Sequence, residues 1–214
     1  MATATAGYTT ATAVMRPGAS NTGGAGTSFI WNSVNDALTS NNVNSYASTT
    51  SSPISNYAGY TNYLTVTDFN AFIPSSATIN GITVSVERKN TFSGISDSLS
   101  INTDAVFLMY DVAGTATTIG TKKTSATTWT SSDVTETFGG AADLWGRSWT
   151  ATEINNANFG VALSAYLNYT YDVEGSGPGN STNVDAITVA IDYTDGAAAR
   201  RRGIFTSRAT LRTI

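Results

Sequence analysis

Neither cysteine nor histidine occurs among the 214 residues of the chain. Without cysteine there is no disulfide framework, no thiolate metal site and no thiol nucleophile. Without histidine, Ser-His-Asp and Cys-His catalysis, His-ligated zinc and His-ligated haem fall away. The glycines form neither a phosphate-cradling Gly-x-x-x-x-Gly-Lys loop nor a dinucleotide fingerprint. No cofactor is therefore expected, and the chain reads as non-enzymatic. No apolar run approaches the length of a membrane helix. The opening MATATAGYTTATAVMRPG lacks the basic segment and apolar run of a signal peptide. These readings predict a soluble protein made in a cytoplasm.

Charge is scarce as well. Asp, Glu, Lys and Arg make up 12% of the chain, about half the usual share. Thr, Ser, Asn, Ala and Gly take their place. Thr suits pleated strands, while Gly, Asn and Ser suit turns. The apolar share of 41% is enough for a core, and the length suits one large all-β domain.

The pattern along the chain agrees. YLTVTDFNAFIP (63–74) alternates at Leu64 and Val66 and is expected to stop at Pro74. INGITVSVERK (79–89) places Ile82, Val84 and Val86 on one face, with Gly81 allowing a close approach just before them. LSINTDAVFLMYDV (99–112) turns apolar on both faces after Asp104, which predicts a strand buried on both sides. TIGTKKTSATTW (118–129) reads as an exposed strand. NFGVALSAYLNYTY (158–171) and VDAITVAIDYT (184–194) complete the set. FIWNSVNDALTSNNVNSYAS (29–48) has apolar residues near helical spacing, but its Asn and Ser predict only a short helical turn or a loop.

One helix is expected in WTATEINNAN (149–158). Thr150 is its N-cap and Glu153 completes a capping box. Ile154 and Ala157 would face the sheet, and Asn158 would help to end it. Trp145 and Trp149 are expected to pack over one end of the core. The fold class is thus all-β: a two-sheet antiparallel β-sandwich, jelly-roll-like, with one short helix and extended N- and C-terminal arms. The arms are 1–28 and 196–214, and the sandwich is 29–195.

Several side-chain groups could carry chemistry. Asp97 with Asp104, Asp133 with Glu136, and Asp172 with Glu174 are paired carboxylates of the kind used in glycoside hydrolysis. None lies in a recognisable motif, and solvated faces or turns explain them more simply. Asp172, Glu174 and Asn180 could offer oxygens to calcium, but their spacing departs from a calcium loop. No metal site is assigned. Tyr57, Tyr60 and Tyr63 are spaced by three and could stack on sugar rings if exposed.

The C-terminus is where charge divides. Residues 1–195 hold six basic and fifteen acidic residues, a net of −9, while residues 196–214 hold five arginines and no acid. Arg200, Arg201, Arg202, Arg208 and Arg212 are interleaved with Ile204, Phe205, Leu211 and Ile214. A nucleic-acid ligand is disfavoured, because the acidic body would repel a polyanion. A plain solubility tail has no reason to carry the apolar residues. The pattern is expected to be a docking arm: apolar residues plug grooves or add a strand, and arginines pair with carboxylates on an acidic partner.

Four stretches together resemble the β-sandwich structural proteins of tailed bacteriophages and prophages. They are FIWNSVNDALTSNNVNSYAS, YLTVTDFNAFIPSSATINGITVSVERK, ADLWGRSWTATEINNANFGVALSA and VDAITVAIDYT, covering roughly residues 29 to 194. The resemblance implies a virion protein, most simply a head decoration or minor capsid protein. Its partners would be other capsid or tail subunits and further copies of itself. The alternative is a carbohydrate-binding module or a receptor-binding tail component.

Overall fold

A computed structural model of the chain describes residues 2–6, 10–14, 28–48, 57–91, 98–112, 115–170 and 181–196. In chain order the strands are β1 (Ala2–Ala6), β2 (Thr10–Val14), β3 (Ser28–Phe29), β4 (Trp31–Asn32), β5 (Ser45–Ser48), β6 (Tyr57–Thr61) and β7 (Tyr63–Thr67). They continue as β8 (Thr78–Thr91), β9 (Ser98–Val112), β10 (Thr115–Lys123), β11 (Val134–Gly140), β12 (Gly160–Thr170) and β13 (Ser181–Thr194). A 3-10 turn spans Val34–Ala37 and one helix, α1, spans Ala151–Ile154.

Two antiparallel sheets pack face to face, as expected. The first runs β11-β8-β13-β5-β4, with β1 also on β13. The second runs β10-β9-β12-β6-β3, with β7 also on β12 and β2 on β7. Only β3 with β6 is parallel among the described pairs. The long central pairs β8–β13 and β9–β12 supply the core. Ile82, Val84, Val86, Ile187, Val189 and Ile191 of the first sheet are buried. So are Ile101, Val106, Leu108, Val161, Leu163 and Leu167 of the second. Each such side chain contributes about 1.5–3 kcal/mol by leaving water. Even spacing puts those of the first sheet on one face, and in β9 the bulge at Asp104, opposite Ser164 and Ala165, sets Val106 and Leu108 on the same side as Ile101.

Three expectations are corrected, and one strand appears where none was expected. The first strand of 63–74 ends at Thr67, not at Pro74. Asp68, Asn70 and Phe72 all take left-handed backbone angles (φ 64°, 50° and 52°), and such residues cannot continue a pleat. Residues 134–140 form β11, a strand with no apolar alternation to announce it. Only Phe138 in VTETFGG is buried, because an edge strand needs just one inward anchor. The helix ends at Ile154, with Asn155 as its C-cap; Ile154 is buried, but Ala157 lies beyond the helix and is exposed. Finally, part of the N-terminal arm belongs to the sandwich. Ala2–Ala6 pairs with Ile191 and its neighbours in β13, and Thr10–Val14 pairs along β7. Alternating Thr and Ala suit such edge positions, and Thr12 and Thr65 bond hydroxyl to hydroxyl at 2.6 Å.

Candidate interaction surface

The side of the sandwich formed by β10 and β11 is sealed by the turn around Trp145. Its indole Nε1 donates to the Ile82 carbonyl in β8 (2.9 Å), and its own carbonyl accepts from Thr121 N in β10 (2.8 Å). One residue thus ties both sheets. Trp145 is left-handed at φ 56° yet wholly buried. The fit demands glycine beside it: a Cβ on Gly139 (φ 81°) would lie 2.3 Å from the Ile82 carbonyl oxygen and 2.7 Å from the indole nitrogen. Gly81 is held equally close, since a Cβ there would sit 2.2 Å from the Ala141 carbonyl carbon. That is the close approach expected at this glycine.

The carboxylates of the body have structural partners. Arg88, buried in β8, donates from Nε to Glu136 Oε2 at 2.8 Å. Thr103 of the other sheet donates to the same oxygen at 3.1 Å, and Trp129 Nε1 donates to Thr103 Oγ1 at 3.1 Å. The guanidinium also sits 5.1 Å from the Trp129 ring centroid. A buried charge is tolerated here because it is paired, bonded and stacked. Lys89 pairs with Asp133 at 3.0 Å and Lys122 with Asp104 at 3.1 Å. Asp185, buried at a β13 bulge, accepts from the main-chain N–H groups of Asn41 and Asn42. Asp104, Asp133 and Glu136 therefore have ion-pair partners that account for them; Asp97, Asp172, Glu174 and Asn180 lie outside the described residues.

Lys123 completes the accounting near Trp145. It pairs with Asp143 and lies 4.9 Å from the Trp145 ring centroid. Its hydrogen bond holds the Asp143 carboxyl below the usual range; partial burial opposes this and the Trp145 N–H assists it. Arg147 pairs with Glu153 and stacks over Trp149 at 4.4 Å. Burial pushes the Glu153 carboxyl up. Hydrogen bonds from the Thr150 N–H and hydroxyl, with Arg147 beside it, outweigh burial and hold it below the usual range. The capping box expected at Thr150 and Glu153 is thus formed, and both Trp145 and Trp149 are buried. All five basic residues among the described ones are in ion pairs. Asp36, Glu87 and Asp195 have no ion-pair partner among the described residues.

The loop after β7 behaves differently from everything around it. Phe69 is buried edge-on against Phe159 at 5.8 Å, and Ile73 is buried four residues later. Asn155, just past α1, clamps Ile73 from both sides: its Oδ1 accepts Ile73 N–H at 2.9 Å and its Nδ2 donates to the Ile73 carbonyl at 2.8 Å. Asp68 N–H bonds to the Ala157 carbonyl at 2.9 Å. Between these fixed points Phe72 stands 84% exposed at φ 52°. A left-handed angle costs a bulky L-residue about 1–2 kcal/mol, and no burial of its ring offsets it. Ser76, at the following turn, donates to the Gly196 carbonyl at 3.3 Å. Gly196, the last described residue, therefore lies beside this turn.

The predicted docking residues Arg200, Arg201, Arg202, Ile204, Phe205, Arg208, Leu211, Arg212 and Ile214 lie outside the described residues. Of the three tyrosines, Tyr60 is 39% exposed and Tyr63 is half-buried; the Tyr57 side chain lies outside the described set. Phe72 was not foreseen as a site residue. The signal available for it is weak: an apolar residue inside DFNAFIP, where a strand was expected. The chain matches no family model, no curated protein and no solved structure.

Proposed function

We propose that the chain is a non-enzymatic structural protein of a tailed-phage virion, a head decoration or minor capsid protein that fastens to neighbouring subunits through its terminal segments. The observation that carries the docking part is the division of charge. The described body pairs all its own Lys and Arg internally and still presents surplus carboxylates. The five arginines after Asp195 follow a body of net −9, in which carboxylates outnumber bases fifteen to six. They suit an acidic neighbour, and charge-assisted Arg–carboxylate pairs give such contacts register as well as strength. The virion setting, with synthesis in the bacterial cytoplasm, is supported by the sequence likeness. Deleting residues 196–214 tests it. The truncated sandwich should keep its thermal transition but be lost from purified particles; normal incorporation would reject the reading.

A second reading has its own support. Tyr60 and Tyr166 face each other across β6 and β12 with ring centroids 4.9 Å apart, and Tyr63 meets Phe107 edge-on at 6.2 Å. Aromatic rings on the face of a sheet can stack on sugars. A glycan array read with the intact protein and with Tyr60→Ala decides: a hit lost in the variant favours a carbohydrate-binding module.

A further inference from the structure

We propose that Phe72 is the apolar anchor of a self-association contact, inserted into a second copy of this chain beside the point where the arginine-rich tail leaves the sandwich. The inference rests on the reading of that tail as a docking arm. It starts from strain. Two bulky residues among the described ones are left-handed, Trp145 and Phe72. Trp145 is held there by full burial and two hydrogen bonds that tie the sheets. Phe72 has no such compensation, being 84% exposed. Backbone strain persists only where surrounding structure over-determines it, and it clusters at sites of function.

The surroundings do over-determine it. The Asn155 clamp on Ile73, the Asp68–Ala157 bond and the buried Phe69 leave the loop little freedom. A backbone already held in place loses little entropy when the exposed ring it carries inserts into a pocket, which is what an interface anchor needs. A second copy is the partner that the charges favour. The contact end adjoins Gly196, from which a segment of +5 follows, and the body of each copy is net −9. Tail meeting body is complementary. Because it joins two different surfaces, it is a head-to-tail contact that closes into a ring or continues as a row.

Sedimentation velocity on the full chain, at low and at high salt, reads the contact directly. The full chain should associate, and salt should weaken the association. Phe72→Gly, which relieves the left-handed angle, should melt no lower than the parent yet dissociate at least tenfold more readily. Phe72→Asn, another residue that tolerates this angle, should behave alike and so guards against an effect peculiar to glycine. A full chain that stays monomeric overturns the second-copy contact, while particle incorporation still tests the docking reading by itself. Association unchanged in both Phe72 variants but lost on deleting residues 196–214 overturns the anchor and leaves the tail's role standing.

Discussion

Trp145 and Phe72 share a backbone angle within a few degrees, φ 56° and 52°, and meet opposite fates. Around Trp145 the chain has built a socket: Gly139 leaves room, Ile82 and Thr121 bond to it, and Lys123 covers its ring. Around Phe72 the same effort goes into the backbone on either side, through Asn155, Phe69 and Ile73, while the ring is left in water. Strain in the first case is offset within the fold. In the second it is preserved and turned outward. The difference teaches that strain alone is no sign of function; strain without internal compensation is the informative observation.

The largest test of this contrast is Trp145→Ala. Removing a buried tryptophan that bridges both sheets should lower the unfolding free energy by about 3–5 kcal/mol, measured by urea denaturation. A loss under 1 kcal/mol would mean that the sheets are held along this side by something else. Asn155→Ala comes next. It removes two hydrogen bonds to Ile73, each worth about 0.5–1.5 kcal/mol, so about 1–3 kcal/mol should be lost. Hydrogen exchange should quicken at Ile73 while the central strands stay protected. Uniform quickening across both sheets would show that the loop is not a separately held unit.

The smallest effect concerns Glu153→Gln, at the junction of the two regions. The Glu153 carboxyl is held below its ordinary value of 4.5. Its stabilising contribution is therefore full above that value and is lost as pH falls through the lowered one. The variant should melt slightly lower than the parent near neutrality, by about 0.5–1 kcal/mol equivalent for a partly exposed pair. The gap should close as the pH falls below 4.5 and through the lowered value, where the parent's carboxyl takes up its proton. A gap that widens with acid would reverse the sign and remove the pairing argument.

Legibility followed the range of the interactions involved. The core of β8 and β13 was readable because a period of two declares which side chains face inward. The capping box was readable because its partners lie three residues apart. Gly81 and the burial of both tryptophans were also within reach of local pattern. The edge strand β11 was not, since VTETFGG offers only Val134 and Phe138 as apolar side chains and is recruited by its ladder to Arg88 through Ile82. The left-handed run at Asp68, Asn70 and Phe72 was hidden for a similar reason: a helix-following residue 82 positions away holds it in place. The docking residues of 200–214 remain a reading of charge and apolar spacing.

By itself, the order of residues determined the class of fold, the exclusion of histidine and cysteine chemistry, and the split between an acidic body and a basic tail. Composition and local periodicity carry those, and they need no partner in space. Only the tertiary structure decided that Glu136 neutralises Arg88, that Ala2–Ala6 and Thr10–Val14 complete two different sheets, and that Phe72 stays in solvent while Trp145 does not. Pairing and exposure depend on what the distant chain brings alongside, and no residue encodes its own neighbours.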